Sequence, residues 1–166
     1  MVAEAVCILP TMNIYTAGYE GLALADFLRV VAQAGVRRVV DVREMPLSRK
    51  RGFSKAPLAS ALETAGIGYL HMRSLGCPKP IRDRYRSDQD WGAYTSAFME
   101  YLSMQSTAID ELARLCMEQS SALLCYETDP ARCHRTYVAR AAAAVAGADV
   151  LHITSAGIVL DQKEFS

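Results

Sequence analysis

Short apolar runs rich in β-branched residues alternate with longer segments of helical periodicity from Asn13 to His152. Apolar residues at three- and four-residue spacing indicate amphipathic helices, whereas brief apolar runs bounded by glycine or polar residues indicate buried strands. Residues 73–90, which are polar and contain prolines, are predicted to be irregular or a short helix. The pattern predicts strands at 14–16, 36–42, 67–71, 121–126 and 150–153, and helices at 22–34, 57–65, 91–117 (one or two helices) and 133–146.

This alternation predicts an α/β fold. Strands that alternate with helices form a mainly parallel sheet, and right-handed crossovers place the helices on both of its faces. We therefore expect a three-layer sandwich around a sheet of about five strands. At 166 residues the chain suffices for one core but not for two ordinary domains, so a single domain is predicted over 12–166. Residues 1–11 show no clear pattern and are interpreted as an N-terminal extension.

Composition excludes several classes of protein. No stretch approaches the roughly 18 consecutive apolar residues of a membrane-spanning helix, so no membrane partner is expected. The apolar run 6–9 is short, lacks preceding basic residues and is broken by Pro10, unlike a secretory signal. The 5 cysteines are odd in number and irregularly spaced, which favours reduced thiols and a cytoplasmic location.

The formal net charge is zero, but the charges are unevenly distributed. Residues 37–86 hold 12 Lys or Arg against 4 Asp or Glu, a local charge of +8 that the rest of the chain cancels. Because a cleft responds to local charge, this distribution favours capture of a small anion over binding along duplex DNA.

The sheet topology indicates where to look for a site. In open parallel sheets, ligands bind outside the carboxyl ends of the strands. The residues that follow the predicted strands should therefore converge on one edge, and they are Gly18-Tyr19-Glu20-Gly21, Asp41-Val42-Arg43, His71 and Cys125-Tyr126-Glu127.

The segments after the first two strands carry the candidate anion-binding residues. Gly18 and Tyr19 belong to a turn that could hold an anion on its backbone amides or could be only a tight connection; it lacks the dinucleotide pattern, and no cofactor follows from it. Arg43, Ser48 and Arg49 offer forked and hydroxyl donors suited to phosphate, although a solvated basic loop is the alternative.

Asp41 closes an apolar strand, where an unpaired carboxylate is costly. We expect it to pair with Arg43 or with Arg135. In that position it is also a candidate acid/base or orienting group.

The segment from Cys125 to Arg135 concentrates the candidate catalytic groups. Cys133 is predicted at a helix N-terminus beside arginines, where the pKa of a thiol falls and suits a nucleophile. Cys125, at a strand end, is either a second candidate nucleophile or a small core residue. Glu127 and His134 are candidate acid/base groups, and His134 could equally bind a metal or hydrogen-bond at the helix start.

Two further alternatives stay open. Cys125, Glu127, Cys133 and His134 could form a metal-dependent site, but no C-x-x-C pair is present and no metal is assigned. A second basic stretch over 79–86 is followed by aromatic residues that could stack on a base. This combination is compatible with a module that binds single-stranded nucleic acid or a nucleotide without catalysis.

Several of these motifs together resemble one known family. Their order over residues 13–152 is similar to that of domain-of-unknown-function family 488, which comprises α/β proteins of bacteria and archaea. The resemblance implies a compact α/β domain with a shared site but assigns no reaction. The matching motifs are Ile14-Tyr15-Thr16, Gly18-Tyr19-Glu20-Gly21, Asp41-Val42-Arg43, Pro46, Ser48-Arg49, Gly52-Phe53-Ser54, Leu75-Gly76, Cys125-Tyr126-Glu127 and Cys133-His134-Arg135.

The first functional hypothesis is therefore an enzyme. Its cleft would bind a phosphate-bearing small molecule or nucleotide through Arg43, Arg49 and Arg135. Cys133 or Cys125 would act as the nucleophile.

Overall fold

The computed structural model describes residues 12–162 of the chain. The interpreted N-terminal extension over 1–11 lies outside the described residues. The strands are β1 (Asn13–Gly18), β2 (Arg38–Asp41), β3 (Gly68–His71), β4 (Ser121–Cys125), β5 (Asp149–Thr154) and β6 (Gly157–Leu160). The helices are α1 (Leu24–Gln33), α2 (Lys55–Thr64), α3 (Lys79–Asp88), α4 (Trp91–Ser103), α5 (Ser106–Glu118) and α6 (His134–Ala146), with 3₁₀ turns at Arg73–Leu75 and Pro130–Arg132.

The described strands form one sheet in the order β3-β2-β4-β1-β5-β6. Every pairing in it is parallel except that of β5 with β6, which is antiparallel. The predicted α/β class with a mainly parallel sheet is confirmed. The sheet has one strand more than predicted, because β6 is exposed along its length and lacks the alternation that marks a half-buried strand.

Helices cover both faces of the sheet, as expected for a three-layer sandwich. On one face α1 and α2 bury Phe27, Val31, Leu58 and Leu62. On the other face the buried side chains come from α4, α5 and α6, among them Phe98, Leu112 and Val138. The residues of β4 are all buried, as is typical of a central parallel strand that is covered on both faces.

The helical region between β3 and β4 is more regular than its polar sequence indicates. The segment 73–90 contains a ten-residue helix, α3, which has a proline at its N-terminus, where the missing N–H is not needed. The block predicted over 91–117 consists of two helices, α4 and α5. Among the described residues, no helix combines the length and apolar character needed to cross a membrane.

The strand order creates a crevice between β1 and β4. The chain leaves β1 through α1 toward β2 on one side of the sheet, and leaves β4 through α6 toward β5 on the other. The connections that follow these two neighbouring strands leave on opposite faces of the sheet, because α1 packs in one hydrophobic layer and α6 in the other. This is the topological condition for a ligand crevice in an open α/β sheet. The register pairs Gly18 with Cys125 at this point.

Candidate functional site

The loop after β4 crosses directly over the end of β1. Tyr19 N donates a hydrogen bond to Cys125 O (3.3 Å), and Glu20 N donates to Tyr126 O (2.8 Å). A Cβ atom on Gly18 would lie 1.8 Å from Glu127 O, so only glycine permits this crossing. The crossing places the residues after Cys125 above the crevice.

Arg135 holds this loop from behind. Its side chain is fully buried, and it donates to the carbonyl oxygens of Glu127 (2.5 Å) and Thr128 (3.4 Å). Thr128 Oγ1 in turn donates to Glu20 O (2.9 Å), which fastens the loop to the turn after β1. The guanidinium of Arg135 therefore shapes the site and does not border the cavity in front of it.

Two thiols, one carboxylate and one imidazole meet beneath the loop. Cys125 Sγ lies 3.1 Å from Glu127 Oε2 and 3.6 Å from His134 Nδ1. Cys133 Sγ lies 3.3 Å from the same oxygen of Glu127. Both thiols and the imidazole are buried, with Cys133 only 1% exposed. Glu127 is half-buried, and the four groups lie close enough to share protons.

The His134 ring is fixed in a defined orientation. Its Nε2 lies 2.8 Å from Val42 O, a carbonyl that can only accept, so Nε2 carries a proton. The Phe98 ring packs against the imidazole edge to face at 5.3 Å. In the neutral imidazole Nδ1 then presents its lone pair to Cys125.

The environment shifts the pKa values of the two thiols in opposite directions. Burial would raise the pKa of Cys133, but hydrogen bonds from Cys125 and His134 and the positive charge of Arg135 outweigh burial and place it well below its ordinary value. The hydrogen bond to Cys133, together with burial, raises the pKa of Cys125. Cys133 therefore ionises more readily than Cys125.

The acid/base groups beside the thiols are shifted as well. Burial, followed by the charge of Cys133, raises the pKa of Glu127. Burial alone would lower the pKa of His134, but its hydrogen bond to Cys133 and the negative charge there raise it overall. Glu127 and His134 are therefore both placed to exchange protons with the thiols.

A cavity of about 610 Å³ opens in front of Cys125. Six cationic side chains border it against two carboxylates, Glu44 and Glu127. Tyr85, Trp91 and Tyr94 form an aromatic wall, in which Trp91 and Tyr94 stack at 4.7 Å. The cations are Arg43, Arg49, Lys50, Arg82, Arg86 and Arg132.

These cations differ in how far they are engaged within the protein. The guanidinium of Arg43 is committed to Asp41, Tyr19 and Phe53 O, and Arg82 pairs with Glu44 at 2.6 Å. Arg49, by contrast, makes no hydrogen bond or ion pair to any residue in 12–162.

Arg132 also has donors to offer. Its guanidinium lies over the Trp91 ring, 5.5 Å from the centroid, and no described carboxylate pairs with it. Arg49 and Arg132 therefore present the most available donors for an anion.

The structure brings most of the predicted site residues to this cavity. The residues that border it are Cys125, Glu127, His134, Arg43, Ser48, Arg49 and Tyr19. The predicted residues that stand behind its wall are Cys133, Asp41, Arg135 and Gly18. Asp41 is fully buried, and its pairing with Arg43 is the first of the two expected alternatives.

Other residues of the cavity were not among the predicted site residues. Arg82, Arg86 and Trp91 belong to the basic and aromatic stretch whose sequence is compatible with binding of single-stranded nucleic acid or a nucleotide. Cys77 also borders the cavity, although burial raises the pKa of its thiol to about 11. Arg132 is one of many arginines in the sequence, and only the 3₁₀ turn places it over Trp91.

Comparison with known proteins identifies the family. No curated protein and no solved structure matches the chain. The model of the family described as domain of unknown function DUF488 matches residues 23–142, a span that includes β2, β4 and the segment from Cys125 to Arg135. The chain therefore belongs to the DUF488 family.

Proposed function

We propose that the protein is a cysteine-dependent enzyme that acts on a phosphate-bearing small molecule or nucleotide, with Cys125 as its nucleophile. The observation that carries this proposal is the position of Cys125 Sγ, which borders a cation-lined cavity while His134 Nδ1 lies 3.6 Å away. A thiol, a base within reach and a third group that orients the base form the usual arrangement for thiol activation. Here Val42 O is the orienting group.

Cys125 is a better nucleophile candidate than Cys133 because of access. Cys133 is 1% exposed and does not border the cavity, so a bound molecule meets Cys125 first. Cys133 lies behind Cys125 and supports the reaction by stabilising the protonated form of His134, the group that receives the proton from Cys125. Cys133, which its predicted position at a helix N-terminus favours as a nucleophile, thus has a supporting role in this proposal.

The proposed reaction is hydrolytic group transfer in two balanced steps. In the first, the proton of Cys125 moves to His134 Nδ1, Sγ forms a bond to the electrophilic atom of the substrate, and the leaving group departs with the proton from His134. In the second, His134 takes a proton from a water molecule as the water oxygen bonds to the transferred group, and the bond between that group and Sγ breaks. The hydroxyl of the water stays with the transferred group, and its remaining proton returns through His134 to the thiol.

The cation-rich rim supports an anionic substrate. A phosphate carries close to two negative charges and accepts forked hydrogen bonds from arginine. Arg49 and Arg132 border the cavity without a carboxylate partner among residues 12–162, so a bound phosphate would neutralise them. The cavity volume of about 610 Å³ suits a ligand of mononucleotide size.

The test is the rate of alkylation of each cysteine by iodoacetamide near pH 7 in chelator-treated protein, followed by peptide mass spectrometry. We expect Cys125 to react at least tenfold faster than Cys116, because Cys125 borders the cavity and has His134 Nδ1 within reach as a base. Cys116 is a buried thiol that does not border the cavity, and burial raises its pKa to about 11. Inorganic phosphate or a nucleoside monophosphate should slow the labelling of Cys125.

Arg49→Ala and Arg51→Ala form a matched pair for the anion. Both arginines are exposed in the same loop, but only Arg49 borders the cavity. Protection by phosphate should weaken in Arg49→Ala and persist in Arg51→Ala. If Cys125 reacts no faster than Cys116, the assignment of Cys125 as the nucleophile is wrong. If phosphate protects Cys125 equally in the two arginine variants, the assignment of Arg49 as an anion contact is wrong.

A further inference from the structure

Four potential ligand atoms converge at the wall of the cavity. The Sγ atoms of Cys125 and Cys133 and a ring nitrogen of His134 all lie within 4.8 Å of one another. Glu127 Oε2 lies 3.1 Å from the first sulfur and 3.3 Å from the second. We propose that these four side chains bind a thiophilic metal ion of the Zn²⁺ type.

The spacing of the atoms suits a tetrahedral ion. Bonds of about 2.3 Å to sulfur and about 2.0–2.1 Å to nitrogen or oxygen place neighbouring ligands roughly 3.5 Å apart at the tetrahedral angle. The observed separation of Cys125 Sγ from His134 Nδ1 is 3.6 Å, and those of the two sulfurs from Glu127 Oε2 are a few tenths of an ångström shorter than this value. Small side-chain adjustments would complete the coordination.

The surroundings of His134 match those of a metal-bound histidine. Ligating histidines commonly donate their second ring N–H to a carboxylate or backbone carbonyl, which fixes the tautomer that leaves the other nitrogen free to bind. His134 Nε2 makes this contact with Val42 O at 2.8 Å, and Nδ1 faces the sulfurs. The backbone partner is an observation independent of the cluster itself.

The charges also balance around a divalent ion. Two thiolates and one carboxylate supply three negative charges, against which the ion and the buried guanidinium of Arg135 supply three positive ones. The donors of Arg135 point at the carbonyls of Glu127 and Thr128 and leave the sulfurs free. Sulfur ligands favour zinc-like ions over Mg²⁺ or Ca²⁺, which prefer oxygen.

This inference goes beyond the proposed function: the ion and the substrate compete for the sulfur of Cys125, so the metal-bound protein is the inactive form and the proposed reaction takes place in the metal-free protein. The test is titration of chelator-treated full-length protein with Co²⁺, followed by absorption spectroscopy and displacement with Zn²⁺. We expect the d–d bands of a tetrahedral site and thiolate-to-cobalt charge transfer, at one ion per chain. Zn²⁺ should bleach these bands.

Cysteine variants locate the ion. The bands should be lost in Cys125→Ser and Cys133→Ser and should persist in Cys77→Ser and Cys116→Ser, two other buried thiols of which Cys77 also borders the cavity. Thermal melting monitored by circular dichroism identifies any variant that has unfolded. Absence of the bands in the folded parent protein, or their survival in Cys133→Ser, would overturn the proposal.

A second readout separates this proposal from the proposed function. Saturation with Zn²⁺ should slow iodoacetamide labelling of Cys125 at least tenfold and leave Cys116 unchanged. Cobalt bands without a fast Cys125 in metal-free protein would support the metal site and contradict the nucleophile. Fast labelling of Cys125 without cobalt bands would support the nucleophile and contradict the metal site.

Discussion

Asp41 and Arg43 form a buried ion pair at the end of β2. Arg43 Nε lies 2.8 Å from Asp41 Oδ1 and its Nη2 lies 2.6 Å from Oδ2, while Tyr69 Oη donates to Oδ2 at 2.6 Å. Burial alone would lower the pKa of Arg43, but the hydrogen bond to Asp41 and its charge raise it. The pair fixes the start of the loop that carries Ser48 and Arg49 to the cavity.

Removing the cation from this pair should destabilise the protein strongly. Arg43→Met keeps the apolar stem but leaves the Asp41 carboxylate buried without its counter-charge, which costs about 3–5 kcal/mol. Urea denaturation measures the free energy of unfolding. Arg29→Met, at an exposed i,i+3 pair, is the control, with an expected loss below about 0.5 kcal/mol. Equal losses in the two variants would contradict this account of the pair.

Single residues differ in how much the sequence reveals about them. A carboxylate at the end of an apolar strand is costly alone, so a partner for Asp41 was predictable in kind. The role of Arg135 was not, because a guanidinium that caps buried carbonyls and one that faces a ligand are identical in sequence. Only the path of the loop over β1 decides which role applies.

At the scale of elements, the site depends on the close approach of β1 to the loop after β4. Gly18→Ala would place a methyl group against Glu127 O and force the loop to move, at a cost of about 1–3 kcal/mol. Gly68→Ala is the matched control, because its nearest neighbour would lie at an ordinary 3.6 Å, and its stability should change by less than about 0.5 kcal/mol.

The Gly18→Ala variant should also report on the site. Displacement of the loop moves Glu127 away from Cys125, so labelling of Cys125 by iodoacetamide should change while labelling of Cys116 does not. Denaturation and peptide mass spectrometry measure the two effects. Unchanged stability and labelling in Gly18→Ala would show that the loop does not cross β1 as described.

The end of β6 is tied to the body of the protein by Asp161. Its carboxylate accepts from Arg140 on α6 at 2.7 Å and from His152 on β5 at 3.0 Å. Burial would raise the pKa of Asp161, but these two hydrogen bonds and charges lower it. A pKa below the unfolded value of about 3.9 means that the stabilisation is complete above that value and is lost as the pH falls through the folded pKa.

The expected result is a stability difference that depends on pH. Asp161→Asn should be less stable than the parent protein at pH 6–7, and the gap should close in strongly acidic solution, below about pH 4. Denaturation across this range measures it. Asp110→Asn, at an exposed position of α5, should change stability by less than about 0.5 kcal/mol. A gap that is constant with pH would contradict the proposed pairing.

The helices and strands were predictable where their burial leaves a pattern of apolar residues in the sequence, and they were not predictable elsewhere. β2 and β4 are buried on both faces and read as continuous apolar runs. β6 is exposed at all four residues, so no periodicity marks it. α3 has no fully buried residue, and its regularity depends on packing against α4, which a local pattern does not record.

At the scale of the whole molecule, the formal net charge is zero, but the positive charges are concentrated around the cavity. Five of the six cations around the cavity come from the basic segment 37–86, and the sixth, Arg132, comes from the loop after β4. The sequence indicated the local excess of positive charge. It could not indicate that the β2 loop and α3 would face one another across the end of β4, because that arrangement follows from the strand order.

The proposed anion-binding cleft with a reactive Cys125 is tested most directly by two alkylating agents that differ in charge. The measurement is the ratio of the rates at which iodoacetate and iodoacetamide modify Cys125, relative to the same ratio for glutathione, in metal-free protein at several salt concentrations. A cation-lined cavity should favour the anionic reagent at least fivefold at low salt. Added salt should erode this preference. Arg49→Ala should reduce it, whereas Arg51→Ala should not. A ratio equal to that of glutathione at every salt concentration would contradict the account.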